Sequence, residues 1–209
     1  MDRTNVHLLV LARHGQSEGN LRNIFTGWSD LPLTEQGRKE AVAVGKRLRD
    51  RKVILDAAFT SALDRARTSC ICMLKELGAV NIEIQSDFAL NERDYGDLTG
   101  LDKDEARRRF GADQIQTWRR SYANAPPHGE SLRDTVARVL PFYVQRILPE
   151  VLRNRGVLVV AHGNSLRALI MALEGLSHED IVGVELQTGE TRFYLLDAYA
   201  EIRSHGIWN

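Results

Sequence analysis

The sequence lacks any long hydrophobic run. No stretch approaches the roughly 18 apolar residues that a membrane-spanning helix needs. The N-terminal region also lacks the apolar core of a signal peptide, because its apolar run ends at Arg13 after only a few residues. From these two absences we expect a cytoplasmic protein that does not use a membrane as a partner.

The sequence also lacks net charge of either sign. It carries 28 Lys and Arg against 28 Asp and Glu among 209 residues. A chain with this balance has no overall field to attract nucleic acid or an anionic surface, so neither is an expected partner. Any function that depends on charge must therefore come from a local cluster.

Cysteine is scarce, and this scarcity excludes two further classes of protein. The only cysteines are Cys70 and Cys72. Two positions apart in a helical pattern they point to opposite sides, which suits neither a disulfide nor a metal chelate. We expect reduced packing residues and no metal site. With 43% hydrophobic and 27% charged residues, the chain has an ordinary globular composition, and one domain over residues 1–209 is expected.

Hydrophobic periodicity predicts alternating strands and helices. Two nearly continuous apolar runs, 6–12 and 157–161, are typical of parallel strands covered on both faces. Further strands are predicted at 57–61, 82–85 and 191–197, and helices are predicted after a cap at Thr34 and over 63–77, 102–110, 134–153 and 165–176. This order predicts a three-layer α/β/α fold with a mostly parallel central sheet.

Each of the two apolar runs ends in a His-Gly pair. The sequences are LVLARHGQS at 9–17 and VLVVAHGNS at 157–165. Because ligands collect beyond the carboxyl ends of parallel strands, His14 and His162 are expected at the same edge of the sheet. Arg13 and the helix start after Gly163 would add positive charge and free N–H groups for an anion. The alternative of two hydrogen-bonded structural histidines stays open at this point.

Signatures of other common chemistries are missing. The sequence has no Walker loop, no Rossmann glycine fingerprint, no nucleophile elbow and no zinc-ligand spacing. The loop LNERDYGDLTGLDK at 90–103 is too rich in charged and aromatic residues for a plain connection and is expected to face a ligand. The arginines of WRRSY at 118–122 fit either a ligand site or a solvated helix face.

Six segments together resemble the cofactor-dependent phosphoglycerate mutases of the histidine phosphatase superfamily. They are ARHGQSEGN (12–20), FTGWSDLPLTEQG (25–37), TSALDRARTS (60–69), LNERDYGDLTGLDK (90–103), WRRSY (118–122) and AHGNSLRAL (161–169). The Arg-His-Gly motif alone indicates only the superfamily, whereas the other segments are specific to the mutase branch. The resemblance implies the histidine phosphatase fold.

The resemblance also implies roles for individual residues. His14 would accept and donate the phosphoryl group, Glu92 would act as the proton donor, and the transferring group would be bound by Arg13, Arg65 and His162. The remaining substrate contacts would come from Ser17, Asn20, Thr26, Gly27, Tyr95, Lys103, Arg119, Arg120, Gly163 and Asn164. We expect neighbouring arginines to keep the imidazole of His14 neutral, and we expect burial and nearby phosphate to raise the pKa of Glu92.

The implied activity is that of an isomerase. It interconverts 3-phosphoglycerate and 2-phosphoglycerate in glycolysis and gluconeogenesis through a phosphohistidine, without a metal and with 2,3-bisphosphoglycerate as the priming cofactor. Small phosphoglycerates are the expected partners, and a homodimer is the expected assembly. Two alternatives remain: a phosphomonoesterase that uses the same histidine, and a non-catalytic module that binds a phosphate ligand.

The sequence departs from the resemblance in three places. Gln16 replaces a glutamate, the segment 126–132 lacks an insertion, and the chain ends at Asn209 without the long tail of typical mutases. The change at Gln16 removes no group with a role in the reaction. The two missing segments help to cover the pocket in longer enzymes, so we expect this protein to lose phosphoryl groups to water more readily.

Overall fold

One mixed sheet forms the centre of the protein. The computed structural model describes residues 6–153 and 156–208. In this part of the chain the strands are β1 (His7–Arg13), β2 (Ala57–Ser61), β3 (Ile84–Asp87), β4 (Val157–Ala161), β5 (Thr191–Leu196) and β6 (Ile202–Trp208). Their order across the sheet is β3-β2-β4-β1-β5-β6. The first four in this order are mutually parallel, β5 runs antiparallel to β1, and β6 runs antiparallel to β5. The predicted mostly parallel sheet is confirmed.

The helices lie on both faces and at one end of this sheet. They are α1 (Glu18–Leu21), α2 (Glu35–Asp50), α3 (Asp64–Leu77), α4 (Lys103–Phe110), α5 (Ala112–Arg120), α6 (Leu132–Phe142), α7 (Leu148–Leu152) and α8 (Gly163–Glu174). Short 3₁₀ turns occur at Phe88–Leu90, Gly96–Leu98 and Ile181–Gly183, and a π-helical turn at Tyr143–Ile147 joins α6 to α7. The single helix predicted over 134–153 is therefore irregular, because prolines at 141 and 149 supply no N–H to its hydrogen-bond ladder.

Alternating side chains of the central strands explain the layers. In β1, Leu9 and Leu11 pack with α6 and α8, whereas Val10 and Ala12 pack with α2 and α3. All four side chains are buried. Because successive residues of a strand point to opposite faces, an unbroken apolar run is what a strand between two helical layers requires.

A third hydrophobic cluster lies under α4 and α5. It contains Phe25, Leu98, Ala106 and Ile115, all of them buried. This cluster packs α4, α5 and the segment after α1 against one another, and it supports the segments that carry Thr26, Lys103 and Arg119. Leu98 belongs to this cluster, so apolar packing anchors the loop 90–103.

Several elements differ from their predicted positions. Strand β3 begins at Ile84, because Ala58 of β2 pairs with Ile84 and not with Ile82. Strand β6 was not predicted, since its sequence is polar and exposed and only its pairing with β5 defines it. Helix α5 was not predicted as a separate element either. Thr34 caps α2 as expected, accepting the N–H of Gly37.

The two cysteines and the membrane prediction can also be compared with the structure. Cys70 and Cys72 are free thiols. Cys70 is buried against α2 and the sheet, and burial raises its pKa to about 12. Cys72 is partly buried at the edge of the same hydrophobic cluster. The two side chains were expected to point to opposite sides of the helix, but both contact this cluster. Among the described residues, no helix is long and apolar enough to cross a membrane.

Candidate active site

The two His-Gly pairs meet at one edge of the sheet. Strands β1 and β4 are parallel neighbours, with Arg13 paired to Ala161 at their carboxyl ends. His14 and His162 are the next residues along each strand, and their ring centroids lie 4.8 Å apart. The expected proximity of the two rings is therefore present, and it follows from strand pairing alone.

His14 is held so that one ring nitrogen is free. Its Nδ1 lies 2.6 Å from the carbonyl oxygen of Gly15. A carbonyl can only accept, so Nδ1 carries the proton and Nε2 keeps a lone pair. Burial, followed by the charges of Arg13 and Arg65, holds the pKa of His14 well below 6.5. The ring is therefore neutral at pH 7 and can act as a nucleophile through Nε2.

Glycine after His14 permits a close backbone approach. A Cβ atom at Gly15 would lie 2.1 Å from the carbonyl oxygen of Gly37. The loop after β1 therefore packs directly on the first turn of α2, and the N–H of Gly15 donates to the Ser69 hydroxyl at 3.0 Å. This packing fixes the backbone from which the His14 ring extends.

Two arginines lie next to the histidines. Arg65 is 1% exposed, and its guanidinium donates to the carbonyls of Ser29 and Gly27 at 2.8 and 2.9 Å. Arg13 donates through Nη1 to the carbonyl of Leu186 at 2.5 Å, while its buried Nε has no partner among the described residues. Both guanidinium groups lower the pKa values of the two histidines, so positive charge is concentrated here.

Glu92 corrects one expectation from the sequence. Burial raises the pKa of this carboxyl, but hydrogen bonds from the Arg93 N–H and the Asn164 side chain and the charges of Arg13 and Arg65 outweigh it, so the pKa is lowered. The distances are 2.7 Å from the Arg93 N–H and 2.8 Å from Asn164 Nδ2. The carboxylate is therefore ionised, and the rise in pKa that burial was expected to produce is wrong.

Next to these residues is a cavity of about 170 Å³ with a cationic wall. Eight of the ten predicted substrate-binding residues line it: Asn20, Thr26, Tyr95, Lys103, Arg119, Arg120, Gly163 and Asn164. Five cationic side chains, those of Arg13, Lys103, Arg119, Arg120 and Arg167, face two acidic ones, Glu92 and Glu185. Burial and, next, the charge of Arg119 lower the pKa of Lys103. The neutral chain thus has a local cationic basin.

The remaining two predicted binding residues have structural contacts and do not line the cavity. Ser17 caps α1, accepting the N–H of Asn20 and donating to its side-chain oxygen. Gly27 supplies the carbonyl that accepts from Arg65. His14, Arg65 and His162 are not among the lining residues either. The cavity wall instead contains the chain neighbours of the two histidines, Arg13 and Gly163.

Sequence reasoning missed Arg167 and Glu185. Arg167 follows Gly163 by four positions on α8, a spacing that places both on one helix face and could have indicated it. Its guanidinium donates to the side-chain oxygen of Asn164 at 3.2 Å and to the carbonyl of Val184 at 2.7 Å. Burial lowers its pKa to about 10. Glu185 forms an ion pair with Arg120, and no sequence signal marks it.

Trp28 and Arg138 shape the loop that carries Glu92. The indole N–H of Trp28 donates to the Glu92 carbonyl at 2.6 Å, and Arg138 donates to the same carbonyl at 3.0 Å. The Arg138 guanidinium lies 5.6 Å from the centre of the Trp28 ring. Two hydrogen bonds, one from Trp28 and one from Arg138, therefore hold the backbone carbonyl of Glu92 in place.

This fold and this arrangement of two histidines and two arginines are those of the histidine phosphatase superfamily. The family model of branch 1 matches residues 9–201, and the chain belongs to this superfamily. It is 56% identical over 197 residues to the 2,3-bisphosphoglycerate-dependent phosphoglycerate mutase of Rhodopseudomonas palustris, covering 94% of this chain and 95% of the relative. It is 54% identical over 207 residues to the enzyme of the same name from Bartonella henselae, covering 99% and 98%.

A solved structure shares the fold at lower identity. Mycobacterial glucosyl-3-phosphoglycerate phosphatase superposes with a TM-score of 0.81 at 27% identity, covering 98% of this chain and 99% of that one. The relatives named as mutases are nearly as long as this chain, since the matches cover 95% or more of their lengths.

Proposed function

We propose that this protein is a 2,3-bisphosphoglycerate-dependent phosphoglycerate mutase that interconverts 3-phosphoglycerate and 2-phosphoglycerate in glycolysis and gluconeogenesis. The observation that carries the proposal is the cationic cavity beside the histidine pair. Lys103, Arg119 and Arg120 form a second cluster of positive charge beyond Arg13. A substrate with a phosphate and a second anionic group needs two such clusters, whereas a phosphatase for simple esters needs one.

In the proposed reaction His14 carries the phosphoryl group. Its neutral Nε2 attacks phosphorus, the N–P bond forms, and the P–O bond to the leaving oxygen breaks. Arg13 and Arg65 neutralise the charge of the oxygens during transfer, and the neutral ring of His162 would donate a hydrogen bond to one of them. In the primed enzyme the free hydroxyl of 3-phosphoglycerate attacks the phosphoryl group on His14, the N–P bond breaks and 2,3-bisphosphoglycerate forms. Nε2 then attacks the other phosphate of this compound, the N–P bond forms again, and 2-phosphoglycerate leaves.

Glu92 moves the proton in this scheme. The leaving oxygen takes a proton from the carboxyl, and in the return step the carboxylate takes the proton from the attacking hydroxyl. The lowered pKa of Glu92 in the ligand-free site means that it binds this proton only when phosphate adds negative charge nearby. Ligand binding and proton uptake by Glu92 are therefore coupled.

The residues present fit the priming cofactor. The compound 2,3-bisphosphoglycerate supplies the first phosphoryl group to His14, and its several anionic groups match the five cationic side chains of the cavity wall. Arg13 would hold the end nearest His14, and Lys103, Arg119 and Arg120 would hold the other. The scheme assigns no role to a metal ion.

The test is conversion of 3-phosphoglycerate to 2-phosphoglycerate with and without trace 2,3-bisphosphoglycerate, with inorganic phosphate counted in the same sample. We expect isomerisation that the primer stimulates, with little free phosphate. The variant His14→Ala is expected to fold but to form no acid-labile phosphoenzyme. Rapid release of phosphate without isomerisation would instead identify a phosphomonoesterase, and full activity of His14→Ala would refute the assigned nucleophile.

A further inference from the structure

Ser61 contacts His162 but has no part in the scheme above. It is the last residue of β2, the strand next to β4, and its hydroxyl oxygen lies 2.7 Å from Nε2 of His162. Both residues are 0% exposed. A hydrogen bond this short between two buried groups has a defined direction, because each hydrogen must find an acceptor.

The other contact of Ser61 settles that direction. Its oxygen accepts the N–H of Leu63 at 3.3 Å. The hydroxyl proton remains, and among the described residues Nε2 of His162 is its only acceptor. If Nε2 carried the proton instead, Ser61 would accept twice and its own buried proton would have no acceptor. Donation from Ser61 to Nε2 is therefore favoured, and it requires that Nδ1 of His162 carry the ring proton.

The protonated Nδ1 is a buried donor without a partner. It makes no hydrogen bond to any residue in the described ranges. The ring lies 4.8 Å from the His14 ring, and after burial the positive charge of Arg65 lowers its pKa most. A buried N–H without an acceptor costs free energy, and an anionic oxygen beside His14 would satisfy it.

We propose that Ser61 is a positioning residue, whose hydroxyl holds His162 in the tautomer with the proton on Nδ1 and so keeps that N–H available for an oxygen of the phosphoryl group on His14. The part concerning the phosphoryl group rests on the proposed function, whereas the tautomer does not. In the other tautomer, Nδ1 would present a lone pair to the oxygens, which is repulsive. Ser61 itself forms and breaks no covalent bond.

The tautomer can be measured directly on the full chain without any substrate. Nitrogen-15 NMR of histidine-labelled protein distinguishes a protonated from an unprotonated ring nitrogen, and the signals of His162 are identified by their loss in His162→Gln. We expect the wild type to carry the proton on Nδ1. Ser61→Ala is expected to shift His162 to a mixture of tautomers or to the Nε2 form, and Ser61→Thr, which keeps a hydroxyl, is expected to restore Nδ1.

Thr60→Val is the matched control. Thr60 is the preceding residue of β2, its hydroxyl is also buried, and this hydroxyl makes no hydrogen bond within the described part of the chain. Removing it is expected to leave the tautomer of His162 and the turnover unchanged. In Ser61→Ala we expect kcat to fall about tenfold or more, because an oriented donor is lost, while KM changes little.

The outcomes separate this inference from the proposed function. If wild-type His162 carries its proton on Nε2, the inference is wrong, whether or not the variants fold. It is equally wrong if Ser61→Ala keeps the Nδ1 tautomer and wild-type kcat. If the protein releases phosphate without isomerising 3-phosphoglycerate, the proposed mutase function is wrong. In that case the NMR result and the rate of His14 phosphorylation still decide the role of Ser61.

Discussion

At the scale of single residues, Glu92 shows how opposing effects decide a protonation state. Burial raises the pKa of this carboxyl, but two hydrogen bonds and two nearby guanidinium groups lower it by more. Glu92 is therefore a carboxylate at a position where the proposed reaction needs an acid. A phosphate bound nearby would raise the pKa of Glu92, because a second negative charge favours the protonated form of the carboxyl.

Replacing Glu92 by glutamine tests this point. Glu92→Gln keeps an oxygen that can accept from Asn164 and from the Arg93 N–H, but it cannot move a proton. Phosphoryl transfer is expected to slow by about 10²- to 10⁴-fold. Affinity for 3-phosphoglycerate is expected to hold or rise, because a negative charge beside the anion is gone.

Rapid-quench measurement of transfer, together with calorimetric measurement of binding, checks both parts of this prediction. Transfer in Glu92→Gln at a rate close to that of the wild type would remove Glu92 from the role of proton donor. A large loss of affinity for 3-phosphoglycerate with an unchanged transfer rate would also contradict the prediction. It would show that the Glu92 carboxylate binds the substrate and does not move the proton.

At the scale of elements, α6 is tied to the loop before Glu92 by one side chain. Arg138 donates to the carbonyls of Ala89, Asn91 and Glu92 at 2.7, 3.1 and 3.0 Å. Its Nε also pairs with Glu130 at 2.8 Å, with the two side chains 14% and 20% exposed. A single guanidinium thus satisfies backbone groups and a carboxylate that are mostly removed from water.

Removal of this guanidinium should cost stability. Arg138→Met removes the cation that pairs with the Glu130 carboxylate and the guanidinium that donates to the carbonyls of Ala89 and Asn91, so the free energy of unfolding is expected to fall by about 2–4 kcal/mol. The control is Arg133→Met on the same helix, whose side chain is exposed and whose loss is expected to cost less than about 0.5 kcal/mol. Urea denaturation measures both.

A double-mutant cycle sharpens the interpretation of Arg138. If the loss comes from the unpaired carboxylate, Glu130→Gln in the Arg138→Met background should recover part of the stability, because the buried charge is then removed. Equal losses in Arg138→Met and Arg133→Met would show that the link between α6 and the loop contributes nothing measurable.

At the scale of the whole molecule, the sheet buries two histidines at one edge, beside two arginines. Burial and neighbouring positive charge hold the pKa values of His14 and His162 well below 6.5. In the unfolded chain both would titrate near 6.5. The unfolded state therefore binds more protons than the folded state as the pH falls below that value.

The expected consequence is a loss of stability in mild acid. These two histidines should not change the free energy of unfolding near pH 7.5. Below pH 6.5 they should lower it, and the fall should continue until the pH reaches their lowered pKa values in the folded protein. For each histidine the slope approaches about 1.4 kcal/mol per pH unit as the pH falls well below 6.5 and is about half that value at pH 6.5. The sign follows from the lowered pKa: protonation favours the unfolded chain.

Urea denaturation between pH 7.5 and 5.5 measures this slope. Combining His14→Gln with His162→Gln should flatten it, because neither side chain then titrates, and each single variant should remove about half. An unchanged slope in the double variant would mean that other groups cause the acid sensitivity.

The parts of the site that could be predicted are those that depend on neighbours in sequence. The apolar runs and the His-Gly pairs indicated two parallel strands, and the pairing of such strands places His14 next to His162. Family motifs indicated Glu92 and eight residues that line the cavity. Strand β6 could not be predicted, because its polar sequence becomes a strand only through pairing with β5.

Other features depend on groups that are distant in sequence. The contact of Ser61 with His162 joins positions 101 residues apart, and that of Asn164 with Glu92 joins positions 72 apart. Glu185 reaches the cavity wall through a loop without any motif. No local pattern reports such contacts.

The sequence by itself determined which reactive side chains stand at the ends of which strands, because strand periodicity and parallel pairing are encoded locally. Only the tertiary structure decided their chemical states: a neutral His14 with Nε2 free, an ionised Glu92, and a second histidine whose Nδ1 has no partner within the described residues. The physical reason is that desolvation and charge act through space, so protonation depends on which segments are buried together.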